Sequence, residues 1–239
     1  MLLALLLCAT PDAGAPTALE LLEASDRSRG GLEQGITWTV EIASTDDGVA
    51  TTRSYLVKAR GTDAIAEATA PPRAKGEQML FNDRTLWFLK PGLRKPVSIS
   101  ARQKLSGEAA NGDIASTNYA RDYDGVVVGE EAVGGEATYR LELKAKASNV
   151  TYDRIRYWVS KERRLGLKAE FLTVSGECFK TATFAYQNSL VVGGKKMVFV
   201  STMTITDAMG SGAVSVIRFG DPKAETHAPN LFNVNNLVR

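Results

Sequence analysis

Tyr139-Arg140-Leu141-Glu142-Leu143-Lys144-Ala145-Lys146 decides the architecture, because apolar and charged residues alternate through it without a break. Side chains on a strand point to opposite faces at each step, so this stretch reads as a β-strand with one wet and one buried face. The same period recurs on either side of it. Ile36, Trp38, Val40 and Ile42 share one face of a second strand, with Thr37, Thr39 and Glu41 on the other. A third strand covers residues 52–60, where Tyr55, Val57 and Ala59 alternate with Ser54, Leu56 and Lys58.

Further strands are expected over residues 61–69, 153–160, 166–175, 179–186, 196–206 and 212–219, separated by glycine-bearing or charged turns. Met79-Leu80-Phe81 and Thr85-Leu86-Trp87-Phe88-Leu89 flank Asn82-Asp83 and form a short hairpin, ended by Pro91-Gly92. Residues 94–123 lose the period. They are polar and contain glycine, and so read as a lid or excursion with a short helix near residues 113–119. About ten strands joined by turns imply a large curved antiparallel sheet, since a flat sheet of that width leaves a face unprotected.

One helix precedes the strands. Leu19, Leu22 and Ser25-Asp26 recur near three and four, Glu20 and Glu23 sit early where the helix dipole favours acids, and Thr17 stands at the N-cap. Gly30-Gly31 ends it. Residues 2–9 are an apolar run of the length of a secretory signal core, too short to span a bilayer, and Ala13-Gly14-Ala15 fits a small-x-small cleavage site. Residues 1–15 are therefore read as a signal peptide remnant and 16–239 as one domain. Cys8 offers the competing reading of an outer-membrane lipoprotein, which Leu7 opposes because that processing needs a small residue before the cysteine. Cleavage would leave Cys178 as a lone thiol, expected to be a small buried hydrophobe.

Composition narrows the function. The chain is 44% hydrophobic and 23% charged with a net charge of +2, ordinary for a globular protein and without the basic stripe that nucleic acid requires. Catalysis finds few candidates. The single histidine, His227, reads as a loop residue, and no nucleophile elbow, phosphate loop, dinucleotide glycine pattern or Cys-x-x-Cys pair occurs. Asp122 with Asp124, and Asp46 with Asp47, could serve a hydrolase, but acids in glycine-bearing turns are ordinarily solvated. The reading is of a non-enzyme with no metal and no cofactor.

Lys75-Gly76, Met79-Leu80-Phe81, Leu86-Trp87-Phe88-Leu89, Pro91, Lys95-Pro96 and Ile99, followed by Gly107, Asn111-Gly112-Asp113 and Arg121-Asp122-Tyr123, form the specific block of a wider resemblance. Together with Asp26-Arg27-Ser28-Arg29-Gly30-Gly31 near the start and Leu231-Phe232 to Leu237 near the end, the chain resembles the LolA-like outer-membrane lipoprotein-sorting family. That resemblance implies a mainly β fold, an incomplete antiparallel barrel of LolA/LolB type around a helical plug or lid, exported to the periplasm. It further implies an apolar cavity for the acyl chains of lipids or lipoproteins, delivered toward the outer membrane with transient membrane contact by a monomer. The broader branch also suggests an alternative, a periplasmic interaction module accessory to an RND-type exporter of the inner membrane. The inward-facing side chains expected to line the cavity are Trp38, Val40, Ile42, Tyr55, Val57, Met79, Phe81 and Trp87. The same alternation would also arise from a solid core.

Overall fold

The computed structural model describes residues 14–46, 48–115 and 118–237. The predicted signal core, Cys8 and Asp47 lie outside the described residues. Helix α1 (Ala18–Arg27) is capped as its sequence predicts: Thr17 Oγ1 accepts from the Glu20 N–H at 3.2 Å, and the Glu20 carboxylate accepts from the Thr17 N–H at 2.8 Å. This reciprocal box satisfies two otherwise unpaired donors. At the other end, the Arg29 and Gly31 N–H groups donate to the Asp26 carbonyl at 2.9 and 3.0 Å, and Gly30 takes the left-handed conformation that turns the chain away.

Six strands follow in an up-and-down run: β1 (Ile36–Asp46), β2 (Val49–Arg60), β3 (Asp63–Ala70), β4 (Gln78–Asn82), β5 (Thr85–Leu89) and β6 (Val97–Ile99). An excursion then carries the small ribbon of β7 (Lys104–Ser106) and β8 (Ala109–Ala110) and the short helix α2 (Tyr119–Asp122). A second run comprises β9 (Tyr123–Val133), β10 (Glu136–Ala145), β11 (Arg154–Ser160), β12 (Gly166–Leu172) and β13 (Cys178–Ala185). The hairpin of β14 (Asn188–Val192) and β15 (Lys195–Phe199) forms a sheet of its own before β16 (Thr202–Asp207) and β17 (Val214–Ala224) rejoin the main one.

The two runs are fused by antiparallel pairing of β1 with β17, in which Val40 faces Phe219 and Ile42 faces Ile217. The result is a 13-stranded sheet with β6 at one edge and β9 at the other. This is the mainly β architecture expected, an antiparallel sheet not closed into a barrel, with a helix on one face. Three local expectations fail. The predicted strand over residues 196–206 is two strands in different sheets, β15 and β16, broken at Val200-Ser201. The short helix α2 sits later than residues 113–119, and β6, β7, β8, β9 and β14 fall where no strand was predicted.

Both faces of the sheet are used. Leu21 and Leu22 of α1 are completely or almost completely buried in one cluster with Trp38, Ile42, Val57, Leu141, Tyr157 and Phe171. On the outer face Leu80, Leu89, Phe232 and Leu237 form a second cluster, against which Ile65 and Trp87 pack. The registers of β3, β4 and β5 explain it: Leu80 pairs with Trp87 and Met79 with Phe88, so alternate residues of the hairpin serve opposite faces.

Tyr157 links α1 to the sheet, its hydroxyl lying 2.6 Å from Ser25 Oγ. That position requires Gly166, since a Cβ there would lie 1.7 Å from the Tyr157 hydroxyl oxygen. Gly166→Ala is expected to destabilise the protein by about 1–3 kcal/mol through forced repacking. Urea denaturation of the two proteins checks this, and unchanged stability would show that Tyr157 moves aside without cost.

Candidate functional site

A cavity of about 80 Å³ opens at the gap between the sheet edges. Phe81 and Leu86 wall it from the β4–β5 hairpin, Tyr119 and Tyr123 from α2 and β9, Val150 and Tyr152 from the β10–β11 connection, and Arg29 from the chain just after α1. The excursion covers the rest. Ile114 is fully buried, the Asp113 carboxylate accepts from the Ala110 N–H at 2.8 Å and from the Tyr152 hydroxyl at 2.9 Å, and Ser106 Oγ lies 2.7 Å from Ser44 Oγ of β1. The Glu108 N–H donates to Ser215 Oγ of β17 at 2.7 Å. The segment read as a lid therefore crosses the inner face and is tied to the centre of the sheet.

The rim of the cavity is polar and latched. Arg84 Nε donates to Asp122 Oδ1 at 2.9 Å and Arg84 Nη2 to the Arg121 carbonyl at 3.2 Å, while Arg121 holds both oxygens of Asp122 at 2.7 and 2.9 Å. Asn149 Nδ2 donates to the Arg84 carbonyl at 2.7 Å. Asp83 and Arg84 both have positive φ, 47° and 59°, the geometry of a two-residue hairpin turn. The turn that joins β4 to β5 thus also fastens that hairpin to α2 across the gap. Asp122, weighed above as a hydrolytic acid, is engaged in this latch, and Asp124 is exposed with Lys146 3.8 Å away.

Behind the rim lies an unusual polar interior. Asp26 Oδ1, Arg29 Nη1 and Trp38 Nε1 are buried without a hydrogen-bond partner. Asp26 Oδ2 accepts from the Ala120 N–H at 2.9 Å, yet burial pushes its carboxyl up to about 7, against the opposing pull of that bond and of Arg29. Burial also raises Asp113, less the effect of its bonds from Ala110 and Tyr152. Tyr119, Tyr123, Tyr152 and Tyr157 are all held above the ordinary tyrosine range, chiefly by burial, and stay neutral. Tyr119 meets Tyr123 and Tyr157 edge to face, each at 5.3 Å between ring centres.

Of the residues expected to line a cavity, Phe81 does so. Val40 and Tyr55 border a separate open groove of about 450 Å³ with Leu56 and Phe219. Trp38, Ile42, Val57 and Met79 are packed in the main core, and Trp38 lies against Phe199 with ring centres 5.8 Å apart. Trp87 belongs to the outer cluster, so its assignment to the interior is corrected: it is one step out of phase with Met79 and Phe81. Arg29, Tyr119, Tyr123 and Tyr152 were not anticipated. They lie in a helix end, an irregular stretch and a loop, where no period betrays a shared surface.

His227 is in a loop but buried, with Nε2 3.0 Å from Thr37 Oγ1. Cys178 is half-buried rather than enclosed, its thiol donating to the Lys180 carbonyl at 3.4 Å. Among the described residues no group of acids, histidines and cysteines is arranged to hold a metal ion, and no helix is long and apolar enough to cross a membrane.

A family model described only as uncharacterized-protein-like matches residues 60–239. A search of curated proteins returns no match. Among solved structures, a LolA superfamily protein from Nitrosomonas europaea is 31% identical, with 92% of this chain and 98% of that one covered at a TM-score of 0.81. A domain from Vibrio parahaemolyticus, provisionally described as an outer membrane lipoprotein-sorting protein domain, is 23% identical, covers 92% of this chain and 98% of its own, and has a TM-score of 0.76. The second likeness concerns the fold alone.

The raised Asp26 carboxyl makes stability depend on pH. With a folded value of about 7 against an ordinary 3.8, the native state holds the extra proton between those limits, so stability falls as pH rises through that window and levels off above it. The fall attributable to Asp26 is at most of order 4 kcal/mol. Urea denaturation of the wild type and Asp26→Asn from about pH 4.5 to 8 is expected to show a slope that the variant lacks. Parallel profiles would mean that Asp26 titrates normally.

Proposed function

The chain belongs to the LolA superfamily, and from that premise we propose that it is a non-enzymatic carrier that takes acyl chains of lipids or lipoproteins into the cavity between its sheet edges. It works in the periplasm and delivers toward the outer membrane. The observation that carries this reading is the position of the cavity, at the gap in the sheet, with Phe81, Leu86, Val150 and three tyrosines among mixed apolar and polar walls and a rim closed by the Arg84–Asp122 latch.

Size dictates how such a carrier must act. An engineered apolar cavity of ~150 Å³ just accepts benzene, and this one, at about 80 Å³, is smaller. An acyl chain therefore enters only as the β4–β5 hairpin and helix α2 of the excursion move apart. The energetics allow it. Each methylene taken from water contributes about 0.8 kcal/mol, whereas a partly exposed ion pair such as the latch is worth at most about 1 kcal/mol. Two methylenes offset the latch, and the rest of the tail offsets side-chain rearrangement and ordering.

One observation favours the alternative of an exporter-accessory interaction module. Trp38, Ile42 and Val57 are at most 1% exposed, so the inner face is filled without cargo. The free edge β9 also leaves Val126, Val127 and Val128 exposed, a surface that another protein could cover.

Native mass spectrometry of protein purified from cell envelopes is expected to reveal a bound acylated molecule. Arg84→Ala is expected to speed uptake of a fluorescent acyl chain by roughly five-fold, the equivalent of ~1 kcal/mol from the latch. A clean apo mass, with no uptake by either protein, overturns the carrier reading and favours the module.

A further inference from the structure

Arg29 is 6% exposed, and no carboxylate lies within ion-pairing distance of it among the described residues. Its guanidinium packs 4.3 Å from the Phe184 ring centre and 5.4 Å from that of Tyr119, Nη2 donates to Met203 Sδ at 3.9 Å, and the neutral hydroxyls of Tyr157 and Tyr119 lie beside the group. Nη1 has no partner at all, and the side chain forms part of the cavity wall. For a purely structural role this is a poor arrangement. A buried cation without an anion costs several kcal/mol, and an apolar side chain of the same length would pack between these rings without that cost. Arginine stays charged in any protein environment, so the cost is not escaped by losing a proton.

The rings explain how the charge is tolerated and what it lacks. Aromatic faces attract a cation and hold its plane, but they leave the in-plane N–H edge unsatisfied. The group that fits that edge is a planar monoanion able to accept two parallel hydrogen bonds, which is a carboxylate. A phosphate dianion would bring twice the charge to one cation. Neither buried acid nearby takes this role: Asp113 is bonded to Ala110 and Tyr152, Asp26 is bonded to Ala120 through Oδ2 while its Oδ1 makes no hydrogen bond, and both are biased toward the protonated form.

We propose that Arg29 is the head-group site of the cavity and that the ligand it receives is a long-chain carboxylic acid, bound by its carboxylate. This rests on the reading that the cavity opens to admit an acyl chain. The space beside Arg29, about 80 Å³, is already that of two to three water-sized groups at ~30 Å³ each. It suits a head group in the closed form, and only the tail requires opening.

The test compares laurate with dodecanol, equal in chain length and different in charge, by calorimetric titration at a pH where laurate is ionised. Wild-type protein is expected to bind laurate at least about ten-fold more tightly, the worth of a charge-assisted hydrogen bond. Arg29→Met is expected to bind the two ligands with similar affinity, losing the preference for laurate. Equal binding of the two by the wild type overturns the assignment of Arg29 and leaves the carrier reading intact, as does a preference that survives in Arg29→Met. Binding of neither ligand, to wild type or to Arg84→Ala, removes both. Should Arg29→Met fail to fold, carboxyl-labelled laurate on the wild type decides by NMR: its carboxyl must titrate lower when bound than when free, and an unshifted or raised titration overturns the site.

Discussion

A sheet of thirteen antiparallel strands that stops short of closing has one apolar face which water must not reach, and the organisation of the inner side follows from how that face is covered. The cover is made of two unlike parts. Helix α1 supplies Leu21 and Leu22 as a conventional hydrophobic stripe. The excursion between β6 and β9 supplies almost no regular structure, and is held instead by side-chain bonds to Ser44, Ser215 and Tyr152. A cover fastened by hydrogen bonds and a few buried apolar residues is easier to lift than a packed helix, because each bond can be exchanged for one to water. The gap between the sheet edges and the removable part of the cover coincide.

The polar groups beneath the cover sharpen this picture. Among the described residues three buried side-chain atoms lack partners, on Asp26, Arg29 and Trp38, and Asp26 and Arg29 lie close together at the end of α1. Native interiors rarely leave such groups unpaired, and where they do the reason is commonly functional. The proposed carrier role sets a physical conflict here, since cargo must be held yet the protein must remain folded without it. Tyrosines offer a compromise, with ring area for apolar contact and hydroxyls that neighbouring acids and carbonyls can satisfy, as Tyr152 with Asp113 and Tyr123 with the Tyr152 carbonyl.

Most of the fold was legible because most strands obey a period of two with one face buried. Residues 36–42 and 139–146 were readable for this reason, and Thr17 announced its helix by cap chemistry. The failures have equally physical causes. Strand β9 runs along the sheet edge with Val126, Val127 and Val128 all exposed, so no burial imposes alternation on it. Val200-Ser201 breaks a strand without proline or glycine, because the chain there changes sheets. Trp87 was misassigned because the residues of its hairpin are apolar on both sides, and only the C-terminal residues Phe232 and Leu237, distant in sequence, reveal which side is which. The candidate site was the least visible part. Its residues come from six separate segments, and neither the unpaired Nη1 of Arg29 nor its ring neighbours leaves a trace in local sequence.

The fusion of β1 to β17 constrains how the molecule is made. Residue 36 at the start of β1 pairs with residue 224 at the end of β17, so β1 finds one of its two neighbours only after the chain has been made as far as residue 224. Contacts this distant in sequence make for slow assembly. Until then the two meanders can associate but not merge, and β1 keeps a bare edge. A chain built this way stays open to solvent along one side of β1 until its distant partner strand arrives.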